Sequence, residues 1–113
     1  MARARMEGVE TSITPTALVP RLSQGTAVVV DVREPWERTA APFDGAIAVP
    51  MSEIPARHGE LPRDRDVVVL CHHGQRSAMV AEYLRAAGFP RVLNLTGGIE
   101  RWSIEVDPSV PRY

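Results

Sequence analysis

A chain of 113 residues with a formal net charge of −1 has the size of one small domain and no excess of positive charge. This charge balance argues against nucleic acid or an anionic membrane surface as a partner. All 13 basic residues are arginines, which excludes Schiff-base chemistry and the phosphate-binding loops that depend on lysine.

The two ends of the chain differ in composition from its middle. Residues 1–7 lack the apolar run of a secretory signal, and 108–113 are rich in proline. We predict a flexible tail over 1–7, one domain over 8–107 and a C-terminal tail over 108–113. No apolar run approaches the length of a membrane span, so we expect a cytoplasmic protein with no membrane partner.

The N-terminal half of the domain contains one predicted helix and two predicted strands. Thr14 is typical of an N-cap and begins a helix over 14–22, although Pro20 falls inside it and leaves its end open. The apolar run at 27–31 is continuous rather than alternating, which is typical of a strand covered on both faces. A weaker strand is predicted over 46–49.

The C-terminal half repeats this alternation twice. A continuous apolar run predicts a strand over 66–71, and Ser77 is predicted as the N-cap of a helix over 77–87. A strand over 92–95 and a helix over 98–106 follow. Alternating strands and helices predict an α/β fold, with an open sheet and helices on both of its sides.

The loop between the third of these strands and its helix contains the only cysteine, Cys71. Ligands of open α/β sheets bind beyond the carboxyl ends of the strands, and Gly74 permits a tight turn there. A helix N-terminus, inward-facing main-chain amides and the Arg76 guanidinium all favour the thiolate over the thiol, with His72 and His73 as further donors. The thiolate is the nucleophilic form, so we predict a reactive cysteine.

Cys71 has two other interpretations, as an inert core residue and as a metal ligand. A lone cysteine is more often an inert core residue, but its position at a strand end, before a glycine, an arginine and a helix start, favours reactivity. A metal site is disfavoured because the adjacent ligands at 71–73 cannot converge on one ion, and one cysteine allows neither a disulfide nor a cysteine-rich zinc site. We expect no metal and no cofactor. His58, in a polar stretch, is predicted to lie on the surface.

Three sequence blocks resemble one known family. Residues 71–77, Cys-His-His-Gly-Gln-Arg-Ser, resemble the active-site loop of single-domain rhodaneses. Residues 31–37, Asp-Val-Arg-Glu-Pro-Trp-Glu, and 95–102, Leu-Thr-Gly-Gly-Ile-Glu-Arg-Trp, are similar to two further family blocks in the same order and spacing. The resemblance covers about residues 8–107.

The resemblance implies a rhodanese-like three-layer fold, with a five-stranded, mainly parallel sheet flanked by helices. It also implies a sulfurtransferase that works in two steps. The Cys71 thiolate takes a sulfane sulfur from a donor such as thiosulfate or a persulfide and becomes a persulfide. A thiol, cyanide or a sulfur-relay protein then accepts the sulfur.

The resemblance also assigns roles to individual residues. Cys71 matches the nucleophile, and Arg76 matches a position that can hold the anionic end of the donor. Asp31 and Arg33 match a scaffold pair, and Trp102 lies either at the pocket rim or in the core. The remaining residues of the substrate-binding active-site loop are His72, His73, Gly74, Gln75 and Ser77.

Two alternative functions remain, and the sequence departs from the family pattern at one place. Cysteine phosphatases and arsenate reductases have a Cys-x5-Arg loop, whereas four residues separate Cys71 from Arg76 and close a smaller ring. A non-catalytic docking or regulatory module is the second rival, which the retained cysteine disfavours. Where relatives commonly have Gly-His-Ile-Pro-Gly-Ala, residues 41–46 are Ala-Pro-Phe-Asp-Gly-Ala, which leaves the acceptor open.

Overall fold

The computed structural model describes residues 10–113, so the tail predicted over 1–7 lies outside the described residues. Its strands are β1 (Ser12–Ile13), β2 (Ala27–Asp31), β3 (Ile47–Ala48), β4 (Asp66–Leu70) and β5 (Val92–Leu95). They form one sheet in the order β1-β5-β4-β2-β3, and every neighbouring pair is parallel. The predicted five-stranded α/β fold is thereby confirmed.

Within residues 10–113, four helices connect the strands and a fifth follows β5. They are α1 (Pro15–Ser23), α2 (Pro35–Ala40), α3 (Ile54–Arg57), α4 (Gln75–Ala86) and α5 (Gly98–Glu105). Short 3-10 segments, Met51–Glu53 and His58–Glu60, flank α3. Within residues 10–113, no helix combines the length and the apolar character needed to cross a membrane.

The central strand β4 is apolar from Val67 to Leu70 because both of its faces are covered there. Val67 and Val69 belong to one hydrophobic cluster, and Val68 and Leu70 belong to the other. Successive side chains of a strand point to opposite faces, so a strand buried on both sides has no position left for polar residues.

Helices lie on both faces of the sheet, as predicted. Ile54 of α3 and Leu84 of α4 pack in the first cluster, whereas Leu18 of α1 and Ile99 of α5 pack in the second. All four side chains are at most 2% exposed. Each helix therefore contributes its apolar stripe to one of two cores, and the sheet lies between them.

Three local predictions need correction or completion. Pro20 lies inside α1 without ending it, because the buried Leu18 holds the helix on the core and the Gln24 N–H still bonds the Pro20 carbonyl. Ser77 is not an N-cap, since α4 begins two residues earlier. His58 is half-buried rather than fully exposed, with its ring edge-on to the ring of Tyr83.

The register of the sheet brings two sequence blocks to one edge. Asp31 at the end of β2 pairs with Leu70 at the end of β4, and the Val32 N–H donates to the Leu70 carbonyl. In a parallel sheet, the carboxyl ends of neighbouring strands meet on the same side. The segment that follows Asp31 and the loop that follows Leu70 therefore form a common surface.

Candidate active site

The sulfur atom of Cys71 faces main-chain amides. Its Sγ accepts hydrogen bonds from the N–H groups of Gly74, at 3.1 Å, and Ser77, at 3.4 Å. Both amides belong to the turn that begins α4, where unpaired N–H groups and the helix dipole favour negative charge. Cys71 is only 1% exposed, so the residues around it shield the sulfur almost completely from solvent.

The turn around the sulfur depends on one glycine conformation. Gly74 is the N-cap of α4 and has a φ of 105°, a left-handed value that residues with a Cβ rarely adopt. A Cβ at this position would also lie 3.3 Å from the main-chain nitrogen of Gly97. The loop therefore turns sharply enough to direct its amides at Sγ only because Gly74 has no side chain.

A second helix supports the loop from behind. At the N-terminus of α5, the N–H of Ile99 donates to the Cys71 carbonyl at 2.9 Å, and that of Glu100 donates to the His72 carbonyl at 3.2 Å. Gly98 permits this approach, since its φ is 61° and a Cβ there would lie 2.6 Å from the Cys71 carbonyl oxygen. The paired glycines of the third sequence block thus have a steric role.

A side-chain network lies on the inner side of the sulfur. The Ser77 Oγ lies 3.2 Å from Sγ and donates to Oδ1 of Asn94 at 2.5 Å. The Asn94 amide nitrogen in turn donates to the Gly74 carbonyl at 3.0 Å. Sequence reasoning missed Asn94, and the only signal for it was a polar residue inside an apolar strand.

Arg76 is paired with a buried carboxylate. Its two Nη atoms donate to Glu37 of α2 at 2.7 and 2.8 Å, and the Glu37 side chain is 5% exposed. These hydrogen bonds lower the pKa of Glu37 from 4.5 to about 2, against the opposing effect of burial. The positive charge predicted to hold an anionic donor is therefore compensated by a neighbour that sequence reasoning gave no role.

Tyr113 completes this group from the segment 108–113. Its hydroxyl donates to Glu37 at 2.8 Å and accepts from Arg33 at 3.2 Å, while its ring stacks on His72 at 3.8 Å. Burial, as the largest effect, raises the pKa of Tyr113 to about 12. Sequence reasoning did not predict this contact, because 76 positions separate Tyr113 from Glu37.

The ligand atoms of His72, His73 and Glu100 lie within 4.8 Å of one another, but their arrangement disfavours a metal site. The two imidazole rings are stacked at 3.8 Å with 20° between their planes, so their in-plane lone pairs do not meet at one ion. Glu100 is bonded to Arg112. Burial, followed by the neighbouring His73, lowers the pKa of His72.

The remaining predicted residues lie farther from the sulfur. Asp31 and Arg33 form a buried pair at 2.8 Å, and Arg33 also donates to the Ala41 carbonyl at 2.8 Å, which braces the segment after β2. Gln75 is exposed at the start of α4. Trp102 packs on Phe43 in the hydrophobic cluster that does not contain Cys71, which favours its core-packing interpretation.

Comparison with known proteins agrees with this architecture. A sulfurtransferase from Allochromatium vinosum is 45% identical over 76 residues, which are 67% of this chain and 71% of that protein. Among solved structures, a rhodanese-related protein from Thermoplasma volcanium has a TM-score of 0.78 at 33% identity, covering 85% of this chain and 93% of its own. A human single-domain sulfurtransferase has a TM-score of 0.74 at 26% identity, and the match covers 83% of this chain and 96% of the human chain.

Some relatives are much longer than this chain. It spans 30% of a rhodanese-like/PpiC domain-containing protein of Arabidopsis thaliana and 27% of the Mycobacterium tuberculosis protein MoeZ, at 41% and 36% identity. The family model described as the rhodanese-like domain matches residues 14–105. The chain therefore belongs to the rhodanese-like domain family.

Proposed function

We propose that this protein is a sulfurtransferase that carries a sulfur atom on Cys71 as a persulfide. The observation that carries the proposal is the pair of main-chain N–H groups, from Gly74 and Ser77, that donate to Sγ at the start of α4. These donors stabilise negative charge on the sulfur, and the thiolate is the form that attacks sulfane sulfur. The sulfurtransferase names of the relatives support the same chemistry.

The proposed reaction has two balanced steps. In the first, the Cys71 thiolate attacks the outer sulfur of the donor, a new S–S bond forms, and the donor leaves with the electron pair of its broken bond. Thiosulfate leaves as sulfite, and an organic persulfide leaves as a thiolate. In the second, a nucleophilic acceptor takes the outer sulfur and returns the electron pair to Sγ, where the two amides again face a thiolate.

The acceptor in this proposal is another molecule. Cys71 is the only cysteine of the chain, so no second thiol within it can discharge the persulfide. A thiol, cyanide or a sulfur-relay protein can take the sulfur. The name of a Bacillus subtilis relative, a putative sulfur carrier protein that is 33% identical over 75 residues, supports a protein partner. We propose a cytoplasmic location, where a lone thiol stays reduced.

The geometry gives less support to a phosphatase. A phosphatase needs its loop arginine free to bind phosphate oxygens, whereas both Nη atoms of Arg76 bond Glu37. The loop also has four residues between Cys71 and Arg76 rather than five. The smaller ring suits a single sulfur better than a tetrahedral phosphate.

Intact-protein mass spectrometry tests the proposal directly. The protein is treated with thiosulfate, glutathione persulfide or mercaptopyruvate, and we expect at least one donor to add the mass of one sulfur atom, which cyanide then removes. The Cys71→Ser variant is the matched control and should gain no mass. Failure of all three donors would contradict sulfur transfer. A cellular phenotype that survives Cys71→Ser would instead favour a docking module.

A further inference from the structure

The hydrogen bonds behind Cys71 have only one possible direction. The Gly74 carbonyl oxygen can only accept, so the Asn94 side chain must turn its amide N–H toward that oxygen, at 3.0 Å. The opposite end of the same amide, Oδ1, is also an acceptor only, and it faces Ser77. The orientation of Asn94 is thus set by the main chain of the active-site loop.

This orientation places the single hydroxyl proton of Ser77. At 2.5 Å from Asn94 Oδ1, the Ser77 Oγ must donate its proton there, because two acceptors without a proton would repel each other. The hydroxyl therefore presents a lone pair to the Cys71 Sγ, 3.2 Å away. The sulfur accepts hydrogen bonds from main-chain N–H groups but none from the Ser77 hydroxyl.

We propose that Asn94 is a positioning residue that holds the Ser77 hydroxyl proton away from Cys71 and so favours a protonated, uncharged Sγ over the thiolate. The inference rests on Cys71 being the nucleophile of the proposed function. A thiol can donate its S–H to the Ser77 lone pair, whereas a thiolate meets that lone pair unfavourably. The inner sulfur of a persulfide is uncharged as well, so the same arrangement favours the loaded state.

The effect of Asn94 on the charge of the sulfur is therefore opposite to that of the main-chain amides. The Gly74 and Ser77 N–H groups favour negative charge on the sulfur, and the Ser77 hydroxyl, held by Asn94, reduces that preference. The resting cysteine becomes less prone to oxidation, because the thiolate is the form that attacks oxidants. In the loaded state, the negative charge is moved to the outer sulfur, the atom that is transferred.

The test measures the rate of iodoacetamide alkylation of Cys71 against pH in the full chain. Removal of the hydroxyl in Ser77→Ala should lower the midpoint of this profile by about 0.5 to 1 pH unit, the size expected for one hydrogen bond. A midpoint that rises would overturn the proposal, since it would mean that Ser77 donates to the thiolate. An unchanged midpoint would overturn it as well.

Asn94→Ala provides an independent measurement. It frees the Ser77 hydroxyl to rotate toward the sulfur, so the midpoint should again fall, and in a Ser77→Ala background Asn94→Ala should cause no further shift. A merely structural role of Asn94 would give shifts that add in the double variant, which would overturn the proposal. Thermal unfolding identifies any misfolded variant. If one single variant misfolds, the other still shows whether the alkylation midpoint rises or falls.

The pH dependence of alkylation tests this inference independently of the proposed function, because alkylation needs no sulfur donor. The charged and titratable groups on the elements packed against the loop are the same in all the variants: Arg76 on α4, Glu37 on α2, the Asp31–Arg33 pair at the end of β2, His72 and His73 in the loop, Glu100 on α5, and Tyr113. A midpoint shift without sulfur uptake would reject only the sulfurtransferase. Sulfur uptake without the shift would reject only the role of Asn94.

Discussion

Two regions adjoin the sulfur of Cys71, and they are built from different groups. The inner cradle, the Cys71–Ser77 turn with Gly74, uses uncharged main-chain amides. The outer ring, Arg76 with Glu37 and Tyr113, uses side chains, and the charges of Arg76 and Glu37 cancel in a partly buried pair. The N–H groups that bond the sulfur are therefore placed by backbone conformation, whereas the charge presented to a donor depends on which side chains occupy positions 37 and 76.

The largest effect is expected from a change that distorts the inner cradle without altering any charge. In Gly98→Ala, the new Cβ would lie 2.6 Å from the Cys71 carbonyl oxygen at a φ of 61°. We expect a loss of stability of about 3 kcal/mol and a fall of about 100-fold in the rate of sulfur uptake. Urea unfolding and timed mass spectrometry measure the two quantities.

Gly25→Ala is the matched control for Gly98→Ala. Gly25 also has a positive φ, 72°, but a Cβ there would meet nothing within 4 Å. This variant should lose about 1 kcal/mol of stability and no rate. Equal loss of rate in both variants would mean that glycine strain in general, rather than support of the loop by α5, limits the reaction.

The next effect concerns the outer ring and the charge of the donor. Arg76→Ala removes the guanidinium and leaves the Glu37 carboxylate without its partner near the loop. Thiosulfate, which carries two negative charges, should lose about tenfold more rate than an organic persulfide with no net charge, because the uncompensated Glu37 carboxylate repels an anion. Arg21→Ala is the control, since Arg21 pairs with Asp66 at the opposite end of β4. Equal losses for both donors would assign Arg76 a structural role.

The last effect concerns stability rather than rate, and it is the pH dependence of stability that Glu37 causes. Its pKa in the folded protein, about 2, lies below the ordinary 4.5, so the Arg76–Glu37 pair stabilises the fold above pH 4.5. This contribution is lost as the pH falls from about 4.5 to about 2. Glu37→Gln should reduce the free energy of unfolding at pH 7 by on the order of 2 kcal/mol, and the difference from the unmodified protein should vanish near pH 2.

Urea unfolding at a series of pH values measures this dependence. Glu60→Gln is the control, because Glu60 pairs with Arg57 on the surface and its exposed pair is screened by solvent. Its unfolding profile should differ little from that of the unmodified protein. If both variants showed the same pH dependence, the burial of Glu37 would have no special importance.

The sequence predicted those structural elements that depend on residues close together along the chain. The continuous apolar runs at 27–31 and 66–71 identified strands buried on both faces, and the lone cysteine before a glycine, an arginine and a helix start identified the loop. It did not predict that Ser77 lies inside the first turn of α4, because a helix start depends on Gly74 taking a left-handed conformation. That conformation is stabilised by contacts with Asn94, on another strand.

The linear order of residues by itself determined the alternation of strands and helices, the position of Cys71 at a strand end and the family to which the chain is similar. Only the tertiary structure decided that Arg76 is paired with Glu37, that Tyr113 stacks on His72 and that Asn94 holds the Ser77 hydroxyl. The physical reason is distance along the chain. Periodicity and caps act over a few residues, whereas these pairs form when the sheet and its helices bring remote segments together.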